Sequence, residues 1–173
     1  NFGKAMHNPT FYTPMRRKTA LFALLLAAVL ALPVQGQQYV RAIAFYNLEN
    51  LFDTIHDEGK NDYEYLPDGG MKWTSHKYEN KLQKMAYAIS QIGTDEDPRG
   101  ATCLGVAEVE NIGCLEDLCG VLNGQYARRY KPILLEGPDR RGVDVGFLYD
   151  STAFRPTRVT GHELKAHYAD GGV

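Results

Sequence analysis

The sequence predicts a mixed α/β layered domain in which helices cover a sheet. Three observations carry that reading. Two apolar runs, Val40–Tyr46 and Ala101–Val109, have the length and composition of buried strands. Between them, Leu82, Met85, Ala86, Ile89 and Ile92 recur at helical offsets. After a second helical segment come two more strand candidates, Tyr130–Leu135 and Val143–Tyr149. The 173 residues are 44% hydrophobic and 23% charged, which excludes collagen-like, disordered and multi-span membrane chains. The length suits one domain, and there is no internal repeat.

The N-terminal segment reads as an address rather than a fold. Met15 is followed by Arg16-Arg17-Lys18, an apolar run from Ala20 to Leu32, a break at Pro33, and small residues to Gly36. A basic start, a short apolar core and a small-residue cleavage site make a signal peptide. The run is too short to span a bilayer, which needs about 20 residues. The predicted organisation is therefore 1–14 upstream extension, 15–36 signal peptide and 37–173 mature chain. No cysteine suited to lipid attachment lies near Gly36, so the product is expected to be exported to the periplasm or the medium, without a membrane span. The chain starts at Asn1 and stops at Asp170-Gly171-Gly172-Val173 without a closing element, and is expected to be a fragment.

Removing residues 1–36 takes away Lys4, Arg16, Arg17 and Lys18 and no acid, moving the net charge from −2 to −6. Such a chain does not hold nucleic acid by bulk charge. A phosphate-bearing substrate requires a metal ion or a local basic patch. The three cysteines, Cys103, Cys114 and Cys119, match no zinc spacing, and Cys103 reads as a small buried apolar residue.

Along the mature chain, 53–70 is a polar loop whose offsets do not fit an EF-hand. Ser75 or Thr74 can cap a helix over Tyr78–Ile92, ended by Gly93, with Lys81, Lys84 and Gln91 mainly on its wet side. Ala101–Val109 is almost wholly apolar and reads as a central strand. Leu115, Leu118, Val121 and Leu122 mark a short helix. Asp139-Arg140-Arg141-Gly142 turns between the last two strands, and Arg158–Leu164 is a further strand candidate. No dinucleotide fingerprint, Walker loop, Gly-x-Ser-x-Gly or His-Glu-x-x-His is present.

Two apolar strands end in a polar residue that packing does not demand, Asn47 and Glu108. Ligands gather at the carboxyl ends of strands in layered α/β folds. An amide and a carboxylate from neighbouring strands supply hard oxygen ligands suited to Mg²⁺. The alternative is structural, with Asn47 capping a turn and Glu108 bonding backbone.

The segment Phe45-Tyr46-Asn47-Leu48-Glu49-Asn50-Leu51-Phe52-Asp53 resembles the opening strand motif of the endonuclease/exonuclease/phosphatase superfamily, the deoxyribonuclease I-like fold. It most resembles a secreted group found in Bacteroides-type bacteria. Trp73, Lys77-Tyr78, Lys81-Leu82, Gly105–Asn111 and Pro138–Val145 extend the likeness in order, over roughly Val40 to Phe154. It implies a four-layer α/β sandwich, of which this chain is the N-terminal part, hydrolysing phosphate esters, nucleic acid among them, with Mg²⁺ or Mn²⁺. By that likeness Asn47 orients phosphate and metal-bound water, Glu108 is the direct metal ligand, and both count as catalytic.

Further residues carry two readings each. Arg141 either contacts a phosphate oxygen or is a solvated turn residue. Asp144 either faces substrate or is satisfied by Arg141 or a nearby lysine. Glu110 and Asn111 either support Glu108 from behind or open the next helix, where Asn is a good cap. The Gly-Asp-Phe-Asn strand and terminal Asp-His pair of the family's later half are absent. His162 and His167 lie in the wrong context and read as surface residues. The expectation is an exported metal-dependent phosphodiesterase, nuclease or phosphatase, inactive as this fragment. The alternative is an exported binding module that keeps the fold without catalysis.

Overall fold

The computed structural model describes residues 21–22, 24–25 and 40–162. Leu21, Phe22, Leu24 and Leu25 are helical. The rest of the predicted signal segment and His167 lie outside the described residues.

From residue 40 the order is β1 (Ala42–Leu51), a 3-10 turn (Tyr63–Tyr65), α1 (Ser75–Gln91), β2 (Ala101–Val109), α2 (Ile112–Gln125), β3 (Tyr130–Leu135) and β4 (Asp144–Asp150). The four strands form one sheet in the order β1-β2-β4-β3. β1 and β2 are parallel, and the other two pairings are antiparallel. The mixed α/β class and the central place of β2 agree with the sequence. Pro132 lacks an N–H for a ladder, which suits the edge position of β3.

Both helices pack on one sheet face. Leu104, Val106 and Leu148 from the sheet, Leu82 and Ile89 from α1, and Leu115, Leu118 and Leu122 from α2 are buried in one cluster. Each contributes about 1.5–3 kcal/mol by leaving water. Gly93, which ends α1, has φ +76°, and a Cβ there would meet Ala42 Cβ at 2.7 Å. Gly146 lets α2 press on the sheet, since a Cβ would lie 2.6 Å from Leu115 Cδ1.

The opposite face is apolar and open over β1, while Phe154, Pro156 and Val159 border it beside Ile133 and Phe147. Phe45, Gly105, Phe147 and Ile133 stand in one row across the four strands. Ile43 is 76% exposed, Phe45 67% and Val145 58%.

Several expectations need correction. β1 continues past Asn47 to Leu51, although its regular pairing breaks after Asn47↔Ala107. α1 begins at Ser75, and its N-cap Thr74 makes no side-chain capping bond. Residues 158–162 are irregular and exposed, so the described part of the predicted Arg158–Leu164 strand does not form. With β1 and β3 at the sheet edges, residues 158–162 pair with neither.

Candidate active site

The site sits where the parallel pair β1/β2 loses its register. After Asn47↔Ala107 the next pair is Leu51↔Val109. The β2/β4 ladder skips Glu108 between Ala107↔Val145 and Val109↔Asp144. Glu49, Asn50 and Glu108 take left-handed backbone, with φ 52°, 58° and 60°. Such conformations cost about 1–3 kcal/mol each and persist only where side chains hold them.

The holding contacts are specific. Asn47 Oδ1 accepts the Glu49 N–H at 2.6 Å, and Asn47 Nδ2 donates to Glu108 Oε1 at 3.0 Å. These two contacts together fix which end of the amide is oxygen. Lys81 Nζ donates to the carbonyls of Glu49 and Asn50, the latter at 2.9 Å. Lys81 also lies over the Trp73 ring, 5.6 Å from its centroid. This lysine does not sit on the wet side of α1 as its spacing suggested. Burial pushes its pKa down, while the charges of Glu49 and Glu108 act to raise it.

Arg141 reaches the same turn from β4's side. Its Nη1 donates to Asn50 Oδ1 and its Nη2 to Asp139 Oδ2, both at 3.4 Å. Asp139 also accepts the Arg141 backbone N–H at 2.7 Å. That bond, followed by the guanidinium, holds the Asp139 carboxyl below its usual range. Arg141 is exposed, and its donors remain accessible to an anion.

An aromatic group walls the site. Tyr65 stacks on buried Phe52 at 4.0 Å and meets Trp73 edge-on. Trp73 Nε1 donates to the Phe52 carbonyl at 2.8 Å. Burial raises the Tyr65 hydroxyl's pKa first, Glu64 and Glu108 add to that, and Arg141 opposes it. Tyr65 therefore lies in the field of both Glu108 and Arg141. Nothing in the local sequence distinguishes it from other loop tyrosines.

Glu110 occupies a different environment. It is buried, and its Oε2 accepts the Asp53 N–H at 2.8 Å. Burial is the main cause that pushes its pKa up to about 8. Asn111 caps α2 by accepting the Cys114 N–H at 3.0 Å and donates to Asp53 Oδ2 at 3.2 Å. The ligand-type atoms of Asp53, Glu110 and Cys114 lie within 4.8 Å of one another. Burial raises the Cys114 thiol to about 12. A cation there would have to displace both the Glu110 and Cys114 protons at neutral pH.

Asp144 is buried at the start of β4. Its hydrogen bond comes from the Gly137 N–H at 2.6 Å, and Lys60 contributes only through its charge. The hydrogen-bonding partner is backbone rather than the Arg141 or lysine side chain expected, because the 137–139 loop folds back over the strand end. Glu108, Asp139 and Asp144 border one open cleft of about 480 Å³. His162 is exposed, away from any hydrogen bond among the described residues. Cys103, Cys114 and Cys119 are buried free thiols.

The family model described as Endonuclease/Exonuclease/phosphatase family matches residues 42–171. The chain belongs to the endonuclease/exonuclease/phosphatase family. Comparison with curated proteins and with solved structures finds no match. The family match spans every strand and helix from β1 to β4, so the Asn47–Glu108 pair lies inside it.

The donor set bears on the divalent metal such enzymes generally use. Asn47 turns its N–H toward Glu108 and spends its oxygen on Glu49. Glu108 Oε2 has no hydrogen-bond partner among the described residues, and Glu108 lines the open cleft. A carboxylate lining the cleft suits a hard divalent cation, which takes waters and other oxygens as its remaining ligands. Of the two side chains, Glu108 is the one whose oxygens could hold a cation, because Asn47 donates its N–H to that carboxylate and its own oxygen accepts from Glu49.

Proposed function

We propose that the protein is an exported, divalent-metal-dependent hydrolase of phosphate esters, with Glu108 as metal ligand. The observation that carries this reading is the Asn47–Glu108 hydrogen bond across adjacent parallel strand ends, inside the matched family region. Glu108 would hold Mg²⁺ or Mn²⁺, which supplies Lewis-acid stabilisation of charge on the phosphate oxygens. Asn47 keeps the Glu108 carboxylate aimed into the cleft. Arg141, on the other side of the Asn50 turn, places its guanidinium for a non-bridging phosphate oxygen. Asp144 shapes the cleft by holding Gly137. Asn111 and Glu110 anchor the start of α2 and the 53-loop rather than touching Glu108.

We further propose that residues 15–36 direct export to the periplasm or the medium, and that 37–173 form the N-terminal portion of a larger sandwich. The open apolar face with Ile43, Phe45 and Val145 supports the second point, because an uncovered apolar face of that extent is unusual in a stable monomer.

The test is hydrolysis of bis(p-nitrophenyl) phosphate by the full-length protein, with Mn²⁺, Mg²⁺ or EDTA, alongside thermal melts. Metal is expected to support turnover and to raise Tm with concentration. Glu108→Ala is expected to lower turnover about 10²-fold or more and to reduce the Tm shift. No turnover and no metal-linked shift would favour the binding-module reading. Residues 37–173 alone are expected to be inactive, and full turnover with a cooperative melt from that piece would overturn the larger-sandwich reading.

A further inference from the structure

A second cleft, of about 480 Å³, opens beside the Asn47 turn on the helix side of β1. Its size is in the range of ligand-binding clefts. Lys77, Lys81 and Lys84 lie along one face of α1 at helical spacing and form its rim. Tyr46 and Trp73 contribute half-buried aromatic rings to its floor. No carboxylate lines it, although the whole chain carries more acids than bases. None of the three lysines is in a salt bridge among the described residues. Lys77 Nζ donates to the Met71 carbonyl, and Lys84 has no hydrogen-bond partner among the described residues. The acid that acts most on Lys81 is Glu49, at the turn itself.

Lys81 joins the cleft to the Asn47–Asn50 turn. Lys81 binds the Glu49 and Asn50 carbonyls, and Arg141 holds the Asn50 side chain from the opposite side. A line of cations therefore runs from Arg141, across the Asn47–Asn50 turn, to Lys81 and out along α1. Lys77 and Lys84 are about 10 Å apart along the helix axis at 1.5 Å per residue, a span that suits successive charges rather than one isolated anion. A cationic rim over an aromatic floor is the combination that holds a single strand, with phosphates on the lysines and bases against the rings. An anionic lipid surface would use the lysines but has no use for a recessed aromatic floor.

We propose that the Lys77–Lys81–Lys84 face of α1, with Tyr46 and Trp73, is a track for single-stranded nucleic acid flanking the phosphodiester held at Glu108 and Arg141. The proposal rests on the phosphoester reading only for the placement of the reacting phosphate. The track itself is a binding surface that works without metal.

The experiment uses the full-length protein in EDTA, where no hydrolysis occurs, with a fluorescein-labelled oligothymidylate followed by anisotropy over a salt series. Wild type should bind with a salt-dependent affinity. The Lys77→Ala/Lys84→Ala double variant should reduce the slope of log K against log salt by about 1.4, at about 0.7 per lost phosphate contact on a single strand. Inorganic polyphosphate should compete at least tenfold less well per charge than oligothymidylate, since it offers nothing to the rings. Glu108→Ala should keep this binding while losing metal-dependent hydrolysis. An unchanged slope in the double variant would overturn the track. So would equal competition by polyphosphate, or preferential binding to phosphatidylglycerol vesicles. If the lysine-dependent slope is present and wild type hydrolyses no phosphodiester, the catalytic reading fails and the track stands.

Discussion

Glu108 and Glu110 are separated by one residue and have opposite surroundings. Along an undistorted strand, residues two apart share a face, and these carboxylates would point the same way. The left-handed backbone at Glu108 breaks that alternation. Glu108 turns to the open cleft and meets the Asn47 amide. Glu110 goes into the interior, onto the Asp53 N–H and beside Cys114. One carboxylate thereby lines the cleft. The other becomes a proton-holding strut under the loop that follows β1. A single bulge sends one to the cleft and the other to the interior.

The contrast can be broken most directly by truncating each acid. Glu110→Ala leaves the Asp53 N–H without its acceptor and opens a small cavity, and we expect a loss of roughly 2–4 kcal/mol of stability. Glu108→Ala removes the acceptor of one half-buried Asn47 bond and leaves the left-handed backbone in place, so it should cost only about 1 kcal/mol. Urea melts in EDTA compare the two, and equal losses would erase the distinction.

A pH series sharpens it. Folded Glu110 keeps its proton up to about pH 8, whereas its ordinary value is 4.5. Between those pH values the folded state binds more protons than the unfolded chain. Its contribution is therefore full below about pH 4.5 and declines as pH rises through 8. Measured in EDTA, the stability of wild type relative to Glu110→Gln should fall across that window by a few kcal/mol. A flat difference would show that Glu110 ionises normally.

Smaller effects test the neighbours. Asn111→Ala removes the α2 cap and should cost about 1 kcal/mol in a denaturant melt, with the hydrolysis rate nearly unchanged. The thiols of Cys114 and Cys119 are buried and raised to about 12. They should remain unreactive to a disulfide reagent at pH 8 until the protein is unfolded. Rapid native labelling would show that the helix layer opens.

Much of this was legible in the chain. β2 and β3 match their apolar runs because a central strand must be apolar on both sides and an edge strand tolerates Pro132. Asn47 and Glu108 stood out because each interrupts an apolar run. Lys81 was misjudged because helical periodicity reports the direction of a Cα–Cβ bond, not the reach of a four-carbon stem. Tyr65 carries no local signal, and Asp53 is marked only as the end of the β1 motif. Tyr65 is placed by Phe52 and Trp73, and Asp53 by Glu110 and Asn111 some 57 residues away.

The sequence by itself determined the class of the fold, its family and the pair of residues at the strand ends. Hydrophobic period and residue chemistry are local properties, readable one segment at a time. The tertiary structure decided that Asn47 serves Glu108 through its N–H, that Glu110 turns inward, and that Arg141 and Lys81 grip one turn from opposite sides. Those outcomes depend on register, on left-handed backbone at Glu49, Asn50 and Glu108, and on which side chains arrive to hold it. Such arrangements are set by the balance of strain against long-range hydrogen bonds, and no single segment contains both sides of that balance.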